Sequence, residues 1–296
     1  MKKFIILILF LSACSWHPRT ESYRELYRDC ASYPRPMTKM KESDYFLVIL
    51  VNARHLDYGN NRSLLCTLSK HPADGTKNGD VGHTWIYLEG WKKDKRVCLE
   101  GGHSGDVGAV CPRYMEGVMQ GVENGEENPV SYLWEAQTDG YFEYGGGGHT
   151  PTYAVKIDLT KQQFERILKY VEEYDYSIYQ IQQRQCSVFV TTLAAMGGLH
   201  LDHHLAFEIQ PTVKFKGGQL PLRSSDEYQY VILSTPDELE RSLAQAVAEG
   251  RAEYALEWYK RHKKHEMKFG EKIKKMMESV ILFPERMMRI IFLFFF

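Results

Sequence analysis

Cys186 stands in QCSVFVTTLAAMGGL, where a charged and polar segment gives way to an apolar, helix-forming run. The start of a helix leaves backbone N–H groups unpaired and carries a partial positive charge, and both favour a thiolate over a thiol. A cysteine at that point is placed for nucleophilic attack. The same position would equally hide an inert core cysteine, because free Cys is among the most buried residue types. Thiol hydrolysis needs two further groups: an imidazole within reach of the sulfur, and a polar group that orients it. His83, heading GHTWIYLEG, is the candidate imidazole. Glu100 and His103, which close the next segment, KRVCLEGGH, are alternatives for the orienting group. Hairpin register is not fixed by sequence, so both stay open.

The elements that must position these residues follow from periodicity. YFLVILVNA (45–53) reads as a buried strand. In GHTWIYLEG, His83, Trp85, Tyr87 and Glu89 fall on one face and Thr84, Ile86 and Leu88 on the other. KRVCLEGG (95–102) reads as its hairpin partner, and TYAVKIDL (152–159) as a third strand. Thr160 opens a helix with the capping box TKQQ, followed by Phe164, Ile167, Leu168 and Val171 at helical spacing. The Cys186 helix should end at Gly197-Gly198, and EYQYVILS (227–234) reads as a last strand. Residues 54–80 are turn-rich, and 101–150, rich in Gly, Asn, Asp and Pro, reads as a long surface excursion.

The ends of the chain carry different signals. MKKFIILILFLSAC has a basic start, a short apolar core and small residues before Cys14, the pattern of a secretory leader. Leu-Ser-Ala-Cys also resembles a bacterial lipobox, which would make Cys14 the lipidated first residue and anchor the protein in the cell envelope. Six cysteines less Cys14 leave an odd set. Cys30–Cys66 and Cys98–Cys111 are conceivable pairs, with Cys186 left as the free thiol. The expected organisation is a leader (1–13), a tether (14–43), a catalytic domain (44–235) and a helical, basic then apolar extension (236–296). Within it KRHKKHEMKFGEKIKK (260–275) reads as a solvated or surface-binding amphipathic helix.

The strand with His83, the polar residues on the next strand, KIDLTKQQFERIL, Tyr179 and QCSVFVTTLAAMGGL together resemble the circularly permuted NlpC-like papain-fold hydrolases, with their lecithin-retinol acyltransferase-like relatives. The resemblance covers about residues 80–200. It implies an α+β domain with an antiparallel sheet packed on helices, Cys186 as nucleophile, His83 as base, and a third residue on the strand holding Glu100. The oxyanion would meet the backbone N–H at the helix start, with Tyr179, Gln185 and His149 as further oxyanion or substrate contacts. The implied substrates are peptidoglycan amides or acyl esters, with no cofactor.

Rival readings come from other residues. A net charge of −1 gives no case for a nucleic-acid partner. YGGGGHT lacks the Gly-Lys-Ser/Thr ending of a phosphate loop. A metal-dependent hydrolase could draw on His83, His103 and His149, although no HExxH or CxxC spacing is present. A non-catalytic envelope binding or scaffold protein of the same fold would keep Cys186 buried and unreactive.

Overall fold

A computed structural model of the chain describes residues 28–29, 43–68, 81–105 and 113–264. The leader, Cys14, Cys30, Cys111, most of the tether and residues 265–296 lie outside the described residues. The architecture is α+β around an antiparallel sheet. Its strands are β1 (Arg28–Asp29), β2 (Phe46–Asn52), β3 (His83–Lys92), β4 (Lys95–Gly105), β5 (Gly140–Tyr144), β6 (Tyr153–Asp158) and, near the C-terminal end, β11 (Glu253–Tyr254). They run in the order β1-β4-β3-β2-β6-β11, and β5 also pairs with β4. Every pairing is antiparallel.

Both faces of this sheet are covered, which is why β2 is buried along its whole length. On one face Leu47, Ile49, Ile86 and Leu88 pack on α3 (Lys161–Glu173), α4 (Cys186–Met196) and α5 (Pro236–Ala248). On the other, Val48, Leu50, Trp85 and Tyr87 pack on Leu256, Trp258 and Tyr259 at the start of a helix described over 256–264. The expected boundary at 235/236 therefore does not separate two cores, because Leu239 and Leu243 of α5 complete the first face. The capping box of α3 is present: Thr160 accepts from the Gln163 N–H, and Gln163 accepts from the Thr160 N–H. It holds Phe164, Ile167, Leu168 and Val171 against the sheet.

A third apolar cluster lies beside the sheet. It is built from α1 (Asn61–Leu68), α2 (Arg113–Asn124), the ribbon of β7 (His204–Glu208) with β10 (Tyr230–Ser234), and the hairpin of β8 (Thr212–Phe215) with β9 (Gly218–Pro221). This corrects the expectation of a long surface excursion over 101–150. β4 runs on to Gly105, α2 follows, Val130 and Leu133 are buried in the third cluster, and β5 returns to the sheet. The apolar residues there bury against partners that are distant in the chain: α1 on one side, Ile181 and the β7–β10 region on the other, and for Phe142 the first core.

Candidate functional site

Cys186 is the first residue of α4, and Gln185 caps that helix by accepting from the Ser187 N–H at 2.7 Å. The thiol donates to the same amide oxygen at 3.3 Å and lies 3.9 Å from the Ser187 hydroxyl. The Gln185 amide is itself fixed, because its NH2 donates to the Ser234 carbonyl. Gln185 therefore presents an acceptor to the sulfur rather than a donor to an oxyanion. Cys186 is a free thiol and is 4 % exposed. Burial pushes the thiol up from its ordinary range, opposed in turn by Thr84, Ser187 and Tyr179. The Thr84 hydroxyl, fully buried and without a hydrogen-bond partner at normal length, is among the groups facing the sulfur. The helix start alone would lower the thiol; desolvation outweighs it here, and the resting thiol is protonated at neutral pH.

A cavity of about 110 Å3 runs from this sulfur into the third cluster. Leu64, Val118, Leu133, Phe207 and Val231 are among its walls, while Tyr179, Gln185 and Cys186 lie on its lining beside Ser234. Tyr179 is held by two backbone hydrogen bonds to Gln137, at 2.7 and 2.8 Å, and its ring packs on Gly105, where a Cβ would collide with it.

His83 sits on the opposite face of the sheet. It is paired in register with Asn52, and its ring stacks on Trp85 with centroids 5.8 Å apart. Alternation along β3 separates it from Thr84, the residue that meets Cys186. The hydrogen bonds of the thiol go to Gln185 and Ser187 and not to a histidine. His83 Nε2 instead lies 3.6 Å from Glu143 Oε2, with both side chains about 95 % buried. The Tyr141 hydroxyl donates to the other oxygen of Glu143 at 3.5 Å. His149 lies over the pair, its ring 5.2 Å from that of His83. Its Nδ1–H donates to the Gly146 carbonyl at 2.9 Å. Gly147 has φ +58°, and a Cβ there would strike the Glu143 carboxylate. The glycine run thus closes tightly over Glu143.

The other two candidates are committed elsewhere. His103 is on the Cys186 face, boxed by Tyr174, Tyr176, Tyr179 and Phe189. Its Nε2 faces the Tyr176 carbonyl at 3.3 Å, and Nδ1 faces the Tyr174 hydroxyl at 3.1 Å. A carbonyl can only accept, so the proton belongs on Nε2 and Nδ1 accepts from the tyrosine. Burial lowers this histidine to about 4, so it is neutral. Glu100 accepts from the Tyr259 hydroxyl at 2.6 Å and from Lys263 Nζ at 2.8 Å, which ties it to the C-terminal helix. Neither residue is placed to orient His83; the group that faces it is Glu143, on β5. The separation of His103 from His83 and His149 also disassembles the suggested metal site. Among the described residues no three His, Cys, Asp or Glu side chains are grouped to hold a metal.

Sequence reasoning missed Glu143, Thr84, Ser234 and the cavity walls. For Glu143 a signal was present, since GYFEY alternates like a strand. Thr84 was also legible, as the residue on the face opposite His83. Cys98 is disulfide-bonded, its partner lying outside the described residues. No helix among the described residues is long and apolar enough to cross a membrane. Compared with protein-family models, with curated proteins and with solved structures, the chain gives no match.

Proposed function

We propose that the chain is a thiol acyl hydrolase of permuted papain-like architecture, in which Cys186 attacks an amide or ester carbonyl. The observation that supports this reading is a free thiol on the first residue of a helix, at the polar end of an apolar cavity. Aliphatic walls suit the non-reacting part of a substrate, and the helix start offers N–H groups where charge would develop on the carbonyl oxygen. His83 is the proposed base. It directly precedes Thr84, the residue that meets the sulfur, and its ring rests on the other face of β3 beside Glu143. The leader and Cys14 support export and lipid anchoring, with peptidoglycan amides or acyl esters within reach at the envelope.

A second reading, a binding protein without catalysis, is favoured by one observation: the thiol is buried and protonated while His83 faces Glu143. Release of p-nitrophenolate from a p-nitrophenyl ester separates the two. Loss of turnover in both Cys186→Ala and His83→Ala is the expected result. Turnover indifferent to Cys186 would leave only the binding reading.

A further inference from the structure

We infer that the cavity selects a compact, unbranched apolar acyl group of about four carbons, making the substrate a short-chain acyl ester or thioester rather than a peptidoglycan stem peptide. The inference rests on the hydrolase reading and adds the substrate class to it. Two features of the cavity carry it.

The first is size. About 110 Å3 is available, and a cavity of about 150 Å3 holds a benzene ring. The second is chemistry. Among the described residues, no Asp, Glu, Lys, Arg or His lines the cavity. Four of its polar side chains are already committed. Asn61 donates to the Glu208 carbonyl at 2.6 Å and accepts from the Gln210 N–H. Thr235 accepts from the Glu238 N–H at 3.1 Å, and Gln185 caps α4. The Ser234 hydroxyl lies 2.6 Å from His203 Nδ1. A stem peptide would bury its carboxylates here with no charged side chain among the described lining residues to pair them, and unpaired charge burial is costly. An alkyl chain leaves no such debt, and its carbonyl end meets the thiol.

The reaction is balanced. Cys186 Sγ bonds to the acyl carbon, the carbon–oxygen bond to the alcohol breaks, and the thiol proton leaves with the alcohol. Water then cleaves the thioester: its oxygen bonds to the acyl carbon as carboxylic acid, and its other proton returns to sulfur.

The test is a series of p-nitrophenyl esters from acetate to decanoate, hydrolysed by the full chain with Cys186→Ala alongside. Each added methylene inside the cavity should raise the Cys186-dependent kcat/KM by about fourfold, the fold-change that burying one CH2 carries. The rise should stop near butanoate or pentanoate. Leu233→Phe, at a half-buried position on the lining, should move that limit shorter by one or two carbons. Cys186-dependent hydrolysis that is flat, or still rising at decanoate, overturns the size selection and leaves the hydrolase reading standing. Faster Cys186-dependent cleavage of muropeptides than of butanoate overturns the substrate class. If no hydrolysis depends on Cys186, the hydrolase reading fails. The cavity is then read by protection of Cys186 from alkylation with N-alkylacetamides of two to ten carbons. Protection that levels off near four carbons upholds the size selection, and no protection removes it.

Discussion

On one face of β3, Thr84 meets a thiol at the end of an apolar cavity; on the other, His83 meets a carboxylate beneath a glycine-rich loop. The first centre is made of neutral groups. Desolvation dominates it, its thiol is pushed up, and its space is open to an apolar guest. The second is built from ionisable groups packed against each other, with His83, Glu143 and His149 all in contact range. The comparison shows how an enzyme-like inventory of residues is divided by a single property of a strand, its two-residue period. Thr84, which meets the cysteine, and His83 stand one peptide apart and yet on different faces.

The largest effect that would bear on this division is that of Cys186→Ala. Under the hydrolase reading it should remove ester turnover by a factor of 10³ or more while leaving thermal unfolding within a few degrees, measured by p-nitrophenolate release and calorimetry. His83→Ala comes next. It should lower turnover by about 10²-fold or more, as loss of a general base does. Should it lower only the unfolding midpoint, the two faces work independently and the division is complete.

Acid stability sharpens the contrast from the Cys186 face. His103 has an ordinary value of 6.5 and is lowered to about 4 when folded, chiefly by burial. Above pH 6.5 its ring is neutral in both folded and unfolded chains, and no pH dependence arises from it. As pH falls from 6.5 toward 4, the unfolded chain takes up a proton that the folded ring refuses, so stability drops, levelling below 4. The loss from this residue should approach about 3 kcal/mol. His203, also lowered to about 4 by burial and by His204, acts in the same direction. Urea midpoints at pH 7.5 and 4.5 should show the fall, and His103→Gln should reduce the difference between them. An unchanged difference would mean that His103 does not carry it.

The smallest effect is expected from Thr84→Val. It removes a hydroxyl that opposes the desolvation of the sulfur, so alkylation of Cys186 at pH 8 should slow by a few-fold, about what a fraction of a pKa shift produces. Faster alkylation would mean that Thr84 shields the thiol instead of favouring its charged form.

Much of the framework was legible from local patterns. The apolar run at 46–52, the alternation of β3, the Thr160 capping box and the helix from Cys186 to the glycines all match the elements observed. Each depends on neighbours within a few residues. Residues 101–150 were misread because Val130, Leu133 and Phe142 bury against partners elsewhere in the chain. Glu100 and His103 looked equivalent as strand-end polar groups. Their partners, Tyr259 and Lys263 for one and the tyrosines of 174–179 for the other, are distant in sequence or shaped by packing.

The sequence by itself determined which residues share a face of β3 and that a thiol opens α4, because strand alternation and helix capping are set by backbone geometry over a few residues. Only the tertiary structure decided that α4 lies on the Thr84 face, that Glu143 closes on His83, and that the thiol borders an apolar cavity. Those outcomes depend on which apolar surfaces find each other across the folded chain, and burial then sets the protonation of whatever polar groups they enclose.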